Sequence, residues 1–376
     1  MAKNWADLLP ELLELCSRQL PLEDWFAFRS VCSTWLVAAS EKRFHVPWLM
    51  LADNRSTKSE WAEFYSLFSS RIHKVVLPEV KGKRCLSSRG WIFTIGLDLQ
   101  IHMLNPLSRP ANRDIIKLPS VNKLFDWDPQ YYEPETRYTK FVLSASPASS
   151  PNYMVIVMLI YVYSKRLGLW KPGTEEWKVL TWPADQVHNV IVLDAIHYKG
   201  KFVVLNGADD IVVCDAGGPA PTAQVIIKKP LEFRDHLEFC VHQYLVESAG
   251  RLLLVARLAQ LDGGTKGFRV FSIDLEARKW TELESMGNAS LFVGFSSSFS
   301  VQVDENQQAI KANCIYFTKD VPYRDNEGKE VGIYHVQDGR IEWFFDEKFN
   351  NYFSRPLWIE LDGALYRSDH KLKKDY

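Results

Sequence analysis

The residues able to do covalent or acid–base chemistry are few and scattered. Cysteines stand at Cys16, Cys32, Cys85, Cys214, Cys240 and Cys314. None forms a C-x-x-C pair, and the spacings fit no zinc motif. A nucleophilic thiol needs a depressed pKa, set by a neighbouring cation or a helix N-terminus. Cys16 and Cys32 lie on apolar helical stripes with no basic residue fixed beside them, so they read as small buried hydrophobes. The carboxylate pairs Asp209/Asp210 and Glu175/Glu176 fall in turn-like segments, and adjacent residues on a strand point to opposite faces, which disfavours an acid–base dyad. His236 and His242 need no joint role. The "DGGTKG" stretch at 262–267 lies between strand-like runs with no helix after it, so it reads as a hairpin loop and not a phosphate cradle. Nucleophile-elbow, zincin, P-loop and dinucleotide fingerprints are missing. No catalytic residue, cofactor or metal is expected.

Composition narrows the partners. The 376 residues carry a formal charge of −1 and are 47% apolar, with 13 Trp, 15 Tyr and 21 Phe. Such a chain can bury a large core, and nothing in its charge steers it to nucleic acid or an anionic membrane. Two basic clusters, "KGKR" at 81–84 and "KLKK" at 371–374, read as a solvated turn and a tail. The start "MAKNWADLLPELL" has no secretory h-region, which points to a reducing compartment, nucleus or cytoplasm, where the Asn54 and Asn288 sequons have no role. The longest apolar run, "YMVIVMLIYVY" at 153–163, is too short to span a bilayer and reads as a buried strand.

Two periods divide the chain. In residues 5–44, Leu9, Leu13, Cys16 and Leu20 mark one helix face, with Pro10 suited to its first turn. Pro21 stops that helix, and Asp24 can cap a second one striped by Phe28, Val31, Cys32, Trp35 and Ala39. Beyond residue 72 come short apolar runs punctuated by Gly, Asp, Asn and Pro, which read as strands. Several share one form: a strand, a tight turn, then Trp opening the next strand. "LGLWKPGTEEWKVL", "FRVFSIDLEARKWTEL" and "GIYHVQDGRIEWFF" are the clearest. Their recurrence at blade-like intervals predicts a propeller of about six blades, with each Trp sealing a gap between blades. Residues 1–45 are expected as a helical domain, 46–72 as a packed connector and 73–376 as the propeller.

Together these residues form a pattern. "LLPELLELCSRQLPLEDWFAFRSVCSTW" resembles an F-box. The chain from "PWLML" at residue 47 through "RCLSSRGWIFT", "LNPLSR", "YLVESAGRLLLVAR", "SLFVGFSSSFSV" and "NCIYFTKD" resembles the plant KIB-type β-propeller family found behind F-boxes. The fold class is therefore mainly β, an α-helical F-box followed by a propeller that lacks kelch-type double glycines. Two positions depart from the usual F-box: Leu36, where a basic residue commonly follows the tryptophan, and Cys16, where a larger aliphatic is commoner.

The resemblance implies a substrate-recognition subunit of an SCF-type ubiquitin ligase. Its F-box would bind a Skp-family adaptor, and through it a cullin–RING ligase, while its propeller holds a protein target. Residue by residue it implies Leu9, Pro10, Leu13, Leu20, Val31 and Trp35 as adaptor-binding or F-box-packing positions. The alternatives are a propeller scaffold that has lost its adaptor, which Leu36 keeps open, and a propeller-fold enzyme. The loop 120–140 is rich in aromatic and acidic residues. Trp127, Tyr131 and Tyr132 there are of hot-spot type, suited to a basic target segment, the alternative being a disordered insertion between strands of a blade. The loop 321–330 is a lesser candidate.

Overall fold

The computed structural model describes residues 5, 8–20, 24, 28, 31–39, 46–52, 60–96, 98–106, 113, 115–121, 124, 139–159, 166–181, 191–218, 222–230, 240–259, 264–303, 309–318, 331–344 and 355–360. Helix α1 (Pro10–Gln19) begins with proline at its first position, where the missing N–H is no loss. It stops before Leu20, whose ψ of 138° is extended, because the following proline disfavours helical backbone there. The second expected helix is interrupted. Asp24, expected as its cap, is itself helical, as is Phe28, but Val31 and Cys32 are not. Cys32 is fully extended (φ −163°, ψ 174°), and helix α2 (Ser33–Ala38) starts after it. The run Ser30-Val31-Cys32-Ser33-Thr34 explains the break, since β-branched residues and serine are weak helix formers.

The β-region is a six-bladed propeller. Strands β1 (Trp48–Met50), β2 (Trp61–Ser66) and β3 (Arg71–Val76) form the first blade with one strand from the far end of the chain. The second blade holds β4 (Arg84–Ser88), β5 (Trp91–Ile95), β6 (Ile101–Leu104) and β7 (Ile115–Leu118), and the third β8 (Thr139–Leu143), β9 (Val155–Leu159), β10 (Arg166–Trp170) and β11 (Lys178–Thr181). The fourth holds β12 (Val192–Tyr198), β13 (Lys201–Asn206), β14 (Ile211–Asp215) and β15 (Thr222–Ile227). One parallel pairing, Thr181 with Thr222, ties the outer edges of the third and fourth blades. The fifth holds β16 (Cys240–Ser248), β17 (Arg251–Ala259), β18 (Thr265–Asp274) and β19 (Lys279–Leu283). The sixth holds β20 (Ala289–Val293), β21 (Phe299–Gln302), β22 (Cys314–Thr318), β23 (Val331–His335) and β24 (Ile341–Trp343). Finally β25 (Leu357–Ile359) pairs with β1 as the inner strand of the first blade, so the chain's last described strand closes the ring. Residues 46–72, expected as a connector, thus contain β1 and β2 and build part of that blade.

Most inner and central strands are covered on both faces, which is why they read as continuous apolar runs; β2 alternates, and β3, β7 and β19 are largely exposed or half-buried. The core accordingly falls into six buried clusters, one per seam between blades. The repeated tryptophans sit in these seams as the sequence predicts. Trp280 of the fifth blade is buried among Tyr198, Val203 and Leu205 of the fourth. Trp343 of the sixth packs into the cluster built around β16–β18. Trp177 donates its indole N–H to Pro119 O of the second blade at 2.8 Å. Inner hairpins of three blades use the same two-residue turn. Arg89-Gly90, Lys199-Gly200 and Ala249-Gly250 all have positive φ, which type I′ hairpin turns demand and glycine supplies without strain.

Candidate interaction surface and central channel

Helix α1 is apolar on two sides. At 3.6 residues per turn, Leu13, Ser17 and Leu20 share one face. Leu13 is 1% exposed and joins Phe28, Ala38, Ala39, Trp48, Met50 and Phe64 in the seam of the first two blades. Ser17 is buried as well, its hydroxyl donating to Glu14 O at 2.9 Å with Ala38 O at 3.4 Å, so a small side chain lets α2 approach closely. The neighbouring arc carries Leu9 (64% exposed), Leu12 (45%) and Leu15 (54%), with Cys16 also exposed. Trp5, Val31 and Val37 are exposed nearby in the chain. Trp35 is half-buried; its indole N–H donates to Trp5 O at 3.3 Å and its ring lies 4.3 Å from that of Phe28.

The six F-box positions named from the sequence therefore separate. Leu13 is buried; Leu20 and Trp35 are partly buried against the core, and Leu9, Pro10 and Val31 face outward. Cys16, expected to be buried, is exposed, because the buried face runs through Ser17. Leu12, Leu15, Trp5 and Val37 are exposed as well, outside the six named positions; for Leu12 the sequence signal is a second apolar stripe at 9, 12 and 16, which overlaps the first. The side chain of Leu36 lies outside the described residues, and so do Trp127, Tyr131, Tyr132, the loop 321–330 and His236.

The centre of the propeller is lined by the inner strands β4, β8, β12, β16, β21 and β25. The turn between β20 and β21 crosses it. Phe295 leaves the sixth blade and packs with Leu86, Trp91 and Phe93 of the second. Ser296 Oγ lies 3.1 Å from Ser87 Oγ, which donates to Trp358 O at 2.7 Å. Arg84 and Arg355 lie over the Phe295 ring at 5.3 and 5.2 Å. Beyond this plug is a cavity of about 260 Å³ lined by Arg89, His197, Glu247, Ser298 and Glu360, among others. Lys140 in its wall forms a buried ion pair with Asp194, whose other oxygen accepts the Leu245 N–H at 2.7 Å. Burial, and secondarily Arg89, push His197 down to about 4.

The described residues also bring one catalytic-looking trio together. Cys314 Sγ lies 3.5 Å from His335 Nδ1, and His335 Nε2 lies 3.4 Å from Glu342 Oε1. The thiol is 2% exposed, and burial pushes it up to about 11. Lys311 first, then Arg340, bind Glu342 and hold its carboxyl well below the usual range. This is a protonated core cysteine beside a surface ion-pair network, not an activated nucleophile. Asp209 pairs with Lys229 at 2.5 Å, and Asp210 accepts the Lys229 N–H at 3.3 Å, so that carboxylate pair pins a turn. Thr265 opens β18 directly after the "DGG" stretch, as a hairpin reading requires. Among the described residues no group of His, Cys, Asp and Glu is arranged to hold a metal, and no helix is long and apolar enough to cross a membrane.

Comparison with known proteins adds the following. A family model for the F-box domain matches residues 5–47, and one for the KIB1-4 beta-propeller matches residues 64–335. The chain is 22% identical to the F-box protein SKIP23 of Arabidopsis thaliana, over 95% of each chain. It is 26% identical to the F-box/kelch-repeat protein At1g57790 of the same plant, over 96% of this chain and 95% of the relative. Among solved structures, the major Malassezia sympodialis allergen Mala s 1 is similar at a TM-score of 0.39 with 11% identity, covering 80% of this chain and 86% of that one.

Proposed function

As a plant-type F-box protein of the KIB1-4 beta-propeller family, this chain is, we propose, the substrate-recognition subunit of an SCF-type ubiquitin ligase. The F-box docks a Skp-family adaptor and the propeller holds a target protein, in the nucleus or the cytoplasm. The observation that carries the reading is the second apolar face of α1, where Leu9, Leu12 and Leu15 stay exposed while Leu13 is buried. Water-exposed leucines at the N-cap and at two positions of one short helix mark an interaction surface. A docked helical partner would bury them and make them its anchors. The receptor itself does no chemistry; it raises the local concentration of target beside the ubiquitin-loaded enzyme.

Co-expression of the full chain with a Skp-family adaptor tests this. Wild type should co-purify with the adaptor, and Leu12→Lys with Leu15→Lys should release it while the far-UV spectrum stays unchanged. A folded wild-type chain that captures no adaptor overturns the ligase reading and leaves the scaffold alternative.

A further inference from the structure

None of the described residues lining the central cavity belongs to α1 or α2. The cavity is lined by residues toward the ends of β4, β8, β12 and β16 and by the β20–β21 turn, so it sits among the inner strands of the propeller. Two opposite charges in its wall lack an ion-pair partner among the described residues. The guanidinium of Arg89 is anchored by donation from Nε to Leu143 O at 3.0 Å. The carboxylate of Glu247 makes no hydrogen bond or ion pair among the described residues, although its backbone oxygen accepts from Ser300 Oγ at 2.8 Å. The other cation of the wall, Lys140, is already matched to Asp194. Ser298 Oγ is buried in the same pocket without a hydrogen-bond partner among the described residues. Glu360 adds a second carboxylate, and His197, with its lowered pKa, is neutral near pH 7.

We propose that this cavity binds a small zwitterion of the amino-acid class, with its carboxylate at Arg89 and Ser298 and its ammonium at Glu247. Groups of both signs left unpaired in a half-enclosed site call for a ligand of both signs. A plain anion would face Glu247, and a plain cation would face Arg89. The volume lies below the ~300 Å³ at which drug-sized pockets begin, so the ligand is small. Arg89 is well placed for specificity because the bond to Leu143 O and the tight Arg89-Gly90 turn fix it before any ligand arrives.

Thermal unfolding of the full chain with each proteinogenic L-amino acid at millimolar concentration tests the site. At least one should raise the melting temperature, because a ligand that binds only the folded state stabilises it. The matching α-keto acid and the matching amine, each lacking one charge, should need about tenfold more to give the same shift. Arg89→Gln and Glu247→Gln should each weaken the response by about tenfold or more, with circular dichroism as the check on folding. Should Arg89→Gln fail to fold, Glu247→Gln decides alone. The proposal is overturned if no amino acid shifts the transition, if the keto acid acts as strongly as the amino acid, or if folded Glu247→Gln responds like wild type.

Discussion

Leu12 and Leu13 are adjacent in the chain and face opposite environments: Leu13 is 1% exposed beside Trp48 and Phe64, whereas Leu12 is 45% exposed. One helical step turns the chain by about 100°, enough to separate the face that packs on the propeller from the face that is free. The two leucines should therefore give opposite results. Leu13→Ala should cost about 2–5 kcal/mol of stability. Leu12→Ala should change stability by only about 0.5 kcal/mol, yet weaken adaptor capture by more than about 1 kcal/mol, or roughly fivefold. Urea unfolding of both variants, read beside a quantitative pull-down, separates the roles. A Leu13→Ala chain as stable as wild type would mean that the F-box does not pack on the first blade.

The sequence carried most of the propeller because of how blades bury their strands. Runs such as Val155–Met158 and Leu252–Ala256 are sealed on both faces, so they appear as unbroken apolar words. The seam tryptophans stood out because a large ring was needed at the same turn of several blades. Closure was not legible: β1 and β25 have three residues each, too few to show a period, and their pairing joins positions about three hundred residues apart. Nor was the inward face of α1. Ser17 is polar and small, yet it is the buried member, while the apolar Cys16 beside it points out. Hydrophobicity alone picks the wrong one of the two, because close helix approach at Ala38 selects for size.

Asp194 joins three blades, since it pairs with Lys140 of β8 from its place on β12 and accepts the Leu245 N–H of β16. Both charges are nearly inaccessible, at 5% and 3% side-chain exposure. Removing one partner leaves the other charge buried and uncompensated, which costs about 3–5 kcal/mol. Asp194→Asn should therefore lower the unfolding midpoint strongly. Asp194→Asn with Lys140→Met should recover much of the loss. Equal stability of wild type and Asp194→Asn in equilibrium denaturation would contradict the buried pair.

His197 makes stability depend on pH in a defined direction. Its folded pKa is about 4, lowered from 6.5 chiefly by burial, then by Arg89, with a backbone contact at Gly200 opposing. Between these values the unfolded chain binds a proton that the folded chain does not, so the contribution is complete above 6.5 and is lost as pH falls toward about 4. His197→Gln should flatten the stability profile across that window and leave the region above it unchanged. A wild-type profile that rises on acidification, or a variant profile as steep as wild type, would show that the imidazole is not held neutral.

The cysteines should divide in the same way that their surroundings do. Burial pushes Cys214 up to about 12 and Cys240 and Cys314 up to about 11, and Cys85 is also buried. Cys16 lies open on the free face of α1. Alkylation follows thiolate character and access. In the native protein at neutral pH, iodoacetamide should modify Cys16 first and leave Cys214 and Cys314 intact until denaturant is added, as peptide mass mapping would reveal. Because Cys16 neighbours Leu12 on the exposed arc, a bound adaptor should slow its alkylation severalfold. Protection of Cys16 in the free chain would place the arc inside the fold and remove the surface on which the proposed adaptor docking rests.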